Sequence, residues 1–202
     1  MKYTVMSHIK PYHKMIERLD EISGDGLIID VGGGNAPYHK ASILVDKFPG
    51  ETVHRGGGKP IVVPTGVQFI QADIQSLPFE TGSVDFIFSR HTLEHTENPQ
   101  QALKELFRVG KKGYIQVPTV MWEQFFSRPM YHHWKISWRD EYRDSAYGKP
   151  FTGFYFEEND TNPLLTHFMD DLFAYNPWFQ QEFWENYELF LHCVLWEHDE
   201  NG

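Results

Sequence analysis

Three aspartates stand at or just after the ends of short apolar runs: Asp30 in LIIDV (27–31), Asp46 in ILVD (43–46), and Asp73 two residues after VQFIQ (67–71). Gly32, Gly33 and Gly34 follow the first run directly. Carboxylates at successive strand ends can accept hydrogen bonds from both hydroxyls of a ribose and from an exocyclic amine, and successive glycines let the chain turn tightly and let a ligand approach the amides of the following helix. In this reading Asp46 takes the ribose and Asp73 takes an adenine amine, while Ile74 and Leu77 offer apolar surface to the ring. Asp30 either pairs with an amine or organises the turn. The plainer alternative is that all three carboxylates serve only loop amides. A second triplet, Gly56–Gly58, follows His54 and Arg55 outside any strand-to-helix context and reads as loop.

The glycine spacing separates two nucleoside chemistries. A dinucleotide site favours G-x-G-x-x-G, whose last glycine allows close helix packing beside a pyrophosphate. Here Gly34 is followed by Asn35, Ala36, Pro37 and Tyr38, so the glycine that ends that spacing is missing.

HTLEH, residues 91–95, also matches H-x-x-E-H, a zinc-peptidase string that needs both histidines on one helical face. It falls instead between a strand ending at Ser89 and a helix started by Asn98 and Pro99, and no third ligand is nominated, so no metal is expected. An imidazole at the position of His91 could take a proton from an acceptor as general base, and positioning or packing are its other roles. His95, with Glu94, reads as a tie between the loop and the next helix. Farther on, Trp122, Tyr131, His132 and Trp134 could line an acceptor pocket or form the core of a small cap. The acidic groups Glu157, Glu158, Asp160, Asp170 and Asp171 read as solvated surface, or as an attraction for a cationic amine.

These groups need a scaffold, and the patterning supplies one. Tyr12, Met15, Ile16, Leu19 and Ile22 recur at helical spacing over residues 8–22. LIIDV, ILVD, VQFIQ and VDFIFS (84–89) are dense in β-branched and large apolar residues, as strands covered on both faces are. Asn98 can cap a helix, with Pro99 in its first turn and Gln101 in a capping box; Gly110 ends it, and YIQV (114–117) is a fifth strand. Strand, crossover helix and strand imply a parallel sheet. Residues 120–162 read as an aromatic cap or lid within a single domain spanning 1–202, Leu164–Tyr175 as a helix, and 178–196 as a closing antiparallel pair.

Composition narrows the function. The formal charge of −10 across 202 residues argues against a nucleic-acid partner. A single cysteine, Cys193, excludes an internal disulfide framework. No apolar run of about 18 residues exists, so a cytoplasmic protein with no membrane partner is expected.

DVGGGNAPY, the acidic end of ILVD, the segment QADIQSLPFETGSVDFIFSRHTLEHTENPQQALKELFRV and GYIQVP together resemble the class I S-adenosylmethionine-dependent methyltransferases, in the broad group with LEH after the fourth strand. The resemblance covers residues 27–118 well, with Ala36 where a third glycine is common. It implies an α/β, Rossmann-like three-layer sandwich with a mostly parallel seven-stranded sheet and one antiparallel strand. It also implies S-adenosyl-L-methionine as cofactor, bound by Asp30, Gly32, Gly33, Gly34, Asp46, Lys47, Asp73, Ile74 and the Ser89, Arg90 and His91 stretch. The reaction would be in-line methyl transfer to a small-molecule acceptor. An NAD-dependent oxidoreductase and a non-catalytic, partner-binding domain are the alternatives.

Overall fold

The computed structural model describes residues 1–50, 58–126, 131–139, 153–160 and 174–199. Most of the helix expected at 164–175, the glycines at 56 and 57, and Asp170 and Asp171 lie outside the described residues.

The strands are β1 (Lys2–Val5), β2 (Ile28–Val31), β3 (Ile43–Asp46), β4 (Gln68–Gln71), β5 (Phe86–Arg90), β6 (Lys112–Pro118), β7 (Trp134–Arg139), β8 (Gly153–Glu158) and β9 (Leu191–Glu197). The helices are α1 (Tyr12–Ser23), α2 (Pro99–Val109), α3 (Val120–Phe126) and α4 (Pro177–Glu185). Seven strands form one sheet in the order β1-β9-β6-β5-β2-β3-β4, and β7 and β8 form a separate ribbon. The pairs from β4 through β6 are parallel; β9 runs antiparallel to both β6 and β1, and among the described strands of this sheet is the one that is reversed.

Side-chain alternation splits the core into two layers. Ile29, Val31, Val45, Ile87, Ile115 and Val117 face one side, under Ala102, Leu103 and Leu106 of α2. Ile28, Leu44, Phe86, Phe88 and Tyr114 face the other, against Met15 and Leu19 of α1. Every residue of β2 is buried, including Asp30, which explains its unbroken apolar character. The ribbon joins the first layer, with Ile136 and Phe154 buried among the same side chains as Ile87 and Val117.

α2 starts where expected: Asn98 Oδ1 accepts from Gln101 N at 3.0 Å. The reciprocal half of a capping box is absent, because the Gln101 side chain donates to Gln75 O and the Asn98 amide donates to Gln75 Oε1 at 3.0 Å. Gly110 ends the helix through close approach; a Cβ there would lie 2.8 Å from both Ile87 and Trp196.

The closing pair expected over 178–196 is corrected. Its first run is α4, capped by Asn176 with Pro177 opening the helix, and only the second run is a strand. The antiparallel partner on the outer side of β9 is β1, from the N-terminal residues, whose short polar sequence gave no strand signal.

Candidate active site

The strand order reverses direction between β2 and β5, the place where a parallel sheet leaves a crevice at its carboxyl ends. A cleft of about 220 Å³ opens there. Its walls include Gly32, Gly34, Asp46, Lys47, Asp73, Ile74 and His91. Asp30, Gly33, Ser89 and Arg90, also expected at the site, stand behind that wall and shape it.

The turn after β2 is built by its backbone. Gly32 and Gly34 hold φ of 79° and 55°, left-handed values that glycine adopts without strain. A Cβ on Gly32 would lie 2.2 Å from Thr92 Oγ1, and one on Gly33 would lie 2.4 Å from Asp30 Oδ2. Asp30 accepts from the Tyr38 amide at 2.7 Å through Oδ2, bridging the turn, while its buried Oδ1 has no hydrogen-bond partner among the described residues. Burial pushes its carboxyl up to about 7, against the lowering influence of the Tyr38 amide and the Arg90 charge. Arg90 pins the far side of the turn by donating to Ala36 O at 2.8 Å. Ser89 is buried, and its Oγ has no hydrogen-bond partner among the described residues.

One expectation fails here. The glycines do not lead into a helix: residues 32–42 are turns and extended chain. Tyr38 fills the space, its ring stacked on Phe88 at 4.4 Å and its hydroxyl donating to Asp20 at 2.6 Å.

The next two strand ends present the expected carboxylates. Asp46 Oδ1 accepts from the Phe48 amide at 2.8 Å. Asp73 accepts from the Gln75 amide at 2.9 Å and faces Lys47 Nζ at 2.8 Å. Burial raises the Asp73 carboxyl, but Lys47 and the Gln75 amide outweigh it and hold the group below its ordinary range. Val45, Ala72 and Ile74 supply apolar wall between these groups. Paired carboxylates on an apolar floor fit a nucleoside with its hydroxyls and exocyclic amine.

His91 closes the end of β5 with φ of 52°, unusual for a residue other than glycine. Gln116 fixes its tautomer. The amide oxygen of Gln116 accepts from the Tyr12 hydroxyl at 2.9 Å and the Tyr114 hydroxyl at 2.8 Å, so its NH2 donates to His91 Nε2 at 3.0 Å. The His91 proton then sits on Nδ1, 3.3 Å from Glu94 Oε1. In this arrangement the Nε2 lone pair is already engaged, which favours positioning over proton abstraction. The Trp122 ring lies 5.7 Å from that of His91.

The other three acceptor candidates gather elsewhere. The Tyr131 carbonyl accepts from His95 Nδ1 at 2.8 Å, His132 Nδ1 meets Glu123 Oε1 at 2.9 Å, and Trp134 Nε1 donates to Thr96 O at 2.8 Å. They clamp residues 131–134 onto His95, Thr96 and Glu123 of α3. Glu94, at the centre, is fully buried; burial raises its carboxyl, but contact with His91 and the charges of His95, His91 and His132 pull it down to about 2. His132 is raised, its burial outweighed by Glu123 and Glu94. Glu94, His95 and His132 each offer one ligand atom, all within 4.8 Å of one another.

Several contributors escaped the sequence reading. Gln116 and Glu123 lie in no motif, and Thr92 was an unassigned position inside HTLEH.

A methyltransferase-domain family model matches residues 45–115. An uncharacterised methyltransferase of Mycobacterium leprae is 33% identical over 98 residues, covering 45% of this chain and 35% of that protein. A chloroplastic 2-methyl-6-phytyl-1,4-hydroquinone methyltransferase of Oryza sativa is 26% identical over 115 residues, covering 50% of this chain and 34% of that protein. The chain thus spans about a third of the length of these curated relatives. A solved S-adenosylmethionine-dependent methyltransferase of Mesorhizobium loti is 11% identical, with a TM-score of 0.47 over 94% of this chain and 99% of that one. From β3 into β6 the chain is similar in sequence to a methyltransferase domain, and its described strands include a seven-stranded sheet with one reversed strand, the arrangement expected of the class I S-adenosylmethionine-dependent methyltransferase fold.

Proposed function

We propose that the cleft binds S-adenosyl-L-methionine and that the domain transfers its methyl group to a small-molecule nucleophile. The observation that carries this reading is the pair of carboxylates, Asp46 and Asp73, facing one apolar-floored cleft at the switch point beside the Gly32 turn. In it, Asp46 receives the ribose hydroxyls, Asp73 receives the adenine amine with Lys47 displaced, and Ile74 covers the ring. Asp30, Gly33 and Arg90 act by holding the turn, and Ser89 packs beneath it. When bound, S-adenosylmethionine would supply a sulfonium-activated methyl group to the acceptor's lone pair, with the carbon–sulfur electron pair left on sulfur. The protein's task is then to align the acceptor and exclude bulk water. His91 and Trp122 are the groups proposed for that alignment at the mouth.

The cap expected from residues 120–162 fits this task, since its described parts, α3 and the ribbon, bring Trp122 to the mouth and His133 to the cleft wall. The hydroquinone substrate in one relative's name supports an aromatic, oxygen-bearing acceptor class. No described helix is long and apolar enough to cross a membrane. The cytoplasm is the compartment proposed, with Cys193 buried and reduced.

Isothermal titration with S-adenosylhomocysteine, with NAD as the matched control, tests the cofactor. One saturable site for the first and none for the second is expected. Binding of NAD alone, or of neither by folded protein, overturns the reading.

A further inference from the structure

Among the described residues, the Glu94 cluster is an arrangement of charge that methyl transfer does not account for. We infer that Glu94, His95 and His132 form a binding site for a zinc-class divalent cation, set into the wall between the cofactor cleft and the segment 131–134.

The first observation is the state of Glu94. Its side chain is 0% exposed, and neither carboxylate oxygen receives an aligned hydrogen bond from the described residues. A carboxylate taken out of water needs hydrogen bonds, a cation or a metal. His95 and His132 bring ligand nitrogens to it, with one atom from each of the three residues within 4.8 Å of the others.

The second observation is independent: each imidazole is held as a metal ligand is held. A carbonyl oxygen can only accept, so the 2.8 Å contact with Tyr131 O puts the His95 proton on Nδ1. The neutral ring then carries its lone pair on Nε2. His132 meets the buried Glu123 carboxylate through Nδ1 at 2.9 Å, and Glu123 is fixed in turn by the Asn159 amide at 3.0 Å. Metal-bound histidines regularly donate their other N–H to a carbonyl or carboxylate in this way. His91 Nδ1, 3.3 Å from Glu94 Oε1, gives the third ligand a polar neighbour as well.

Two imidazoles and one carboxylate suit zinc and related transition cations and are a poor match for magnesium, which prefers an oxygen shell. Three protein ligands leave a fourth position for water or an oxygen of the acceptor. The HTLEH string thus contributes two ligands, Glu94 and His95, in an order unrelated to the peptidase use. The third comes from His132, which sequence proximity could not nominate.

Equilibrium titration of metal-stripped protein with zinc, using magnesium as control, is the test. The expected result is one zinc per chain, a raised melting temperature and no step with magnesium. Glu94→Gln and His132→Ala should abolish the step, Glu123→Gln should weaken it about 10- to 100-fold, and His8→Ala, at an exposed histidine, should leave it unchanged. Absence of a stoichiometric step, or a step that survives both ligand substitutions, overturns the site and leaves a histidinium paired with Glu94. If either variant fails to fold, cobalt(II)-substituted parent protein decides. Two strongly shifted, exchangeable ring N–H resonances from His95 and His132 support the site, and unshifted ones refute it. All these readouts are independent of methyl transfer.

Discussion

At the scale of single residues, Asp30 ties the turn to a measurable pH dependence. Its carboxyl is raised from 3.8 to about 7 by burial. Between those values the folded state holds a proton that the unfolded state has released, so stability falls as pH rises through that window and is level above it. The full effect is on the order of 4 kcal/mol. Asp30→Asn keeps an acceptor for the Tyr38 amide and removes the charge. Its stability advantage over the parent should therefore grow from near zero at pH 4 to a plateau above pH 7, followed by urea midpoints. Gly33→Ala should act oppositely, because the fully buried Asp30 carboxylate cannot retreat from a new Cβ. A cost of about 1–3 kcal/mol and a loss of roughly tenfold or more in S-adenosylhomocysteine affinity are expected by denaturation and titration. Asp46 and Asp73 were legible because a carboxylate at a strand end is a local pattern. The Glu94 arrangement was not, since its partners arrive from α3 and from residues 131–133, and nothing local to HTLEH encodes that meeting.

Among the elements, β2 to β6 and α2 were readable within a few residues at each end, because parallel strands need apolar runs and helices need caps; β4, read as covered on both faces, instead lies at the sheet edge and is only half-buried. Asn98 shows how far such reading goes. Its cap was visible, whereas the diversion of Gln101 to Gln75 depends on a loop brought in by the fold. Asn98→Ala should cost about 1 kcal/mol by urea denaturation, and Gln101→Ala should cost less, since Gln75 still serves the Asn98 amide. The chain after Gly34 gave the wrong element: a glycine turn before polar residues reads as a helix start, but Pro37 and the ring of Tyr38 on Phe88 organise the crossover without one. The residues 178–185 misled similarly, their dense aromatics suiting a strand although Asn176 and Pro177 set a helix.

For the molecule as a whole, the edge of the sheet is decided by residues far apart in the chain. β1 pairs with β9 from Lys2 and Glu197 to Val5 and Val194, and the N-terminal amine contacts Asp199. Removing residues 1–5 would leave β9 as an unpaired edge, which invites strand addition between molecules. A lower melting temperature and concentration-dependent self-association in sedimentation velocity are expected; an unchanged monomer of equal stability would show that β1 contributes little. This pairing also orders events in time. On a ribosome Lys2–Val5 emerges well before its partner, so this edge of the sheet cannot pair, and Lys2–Val5 remains accessible to chaperones, until Leu191–Glu197 has left the exit tunnel.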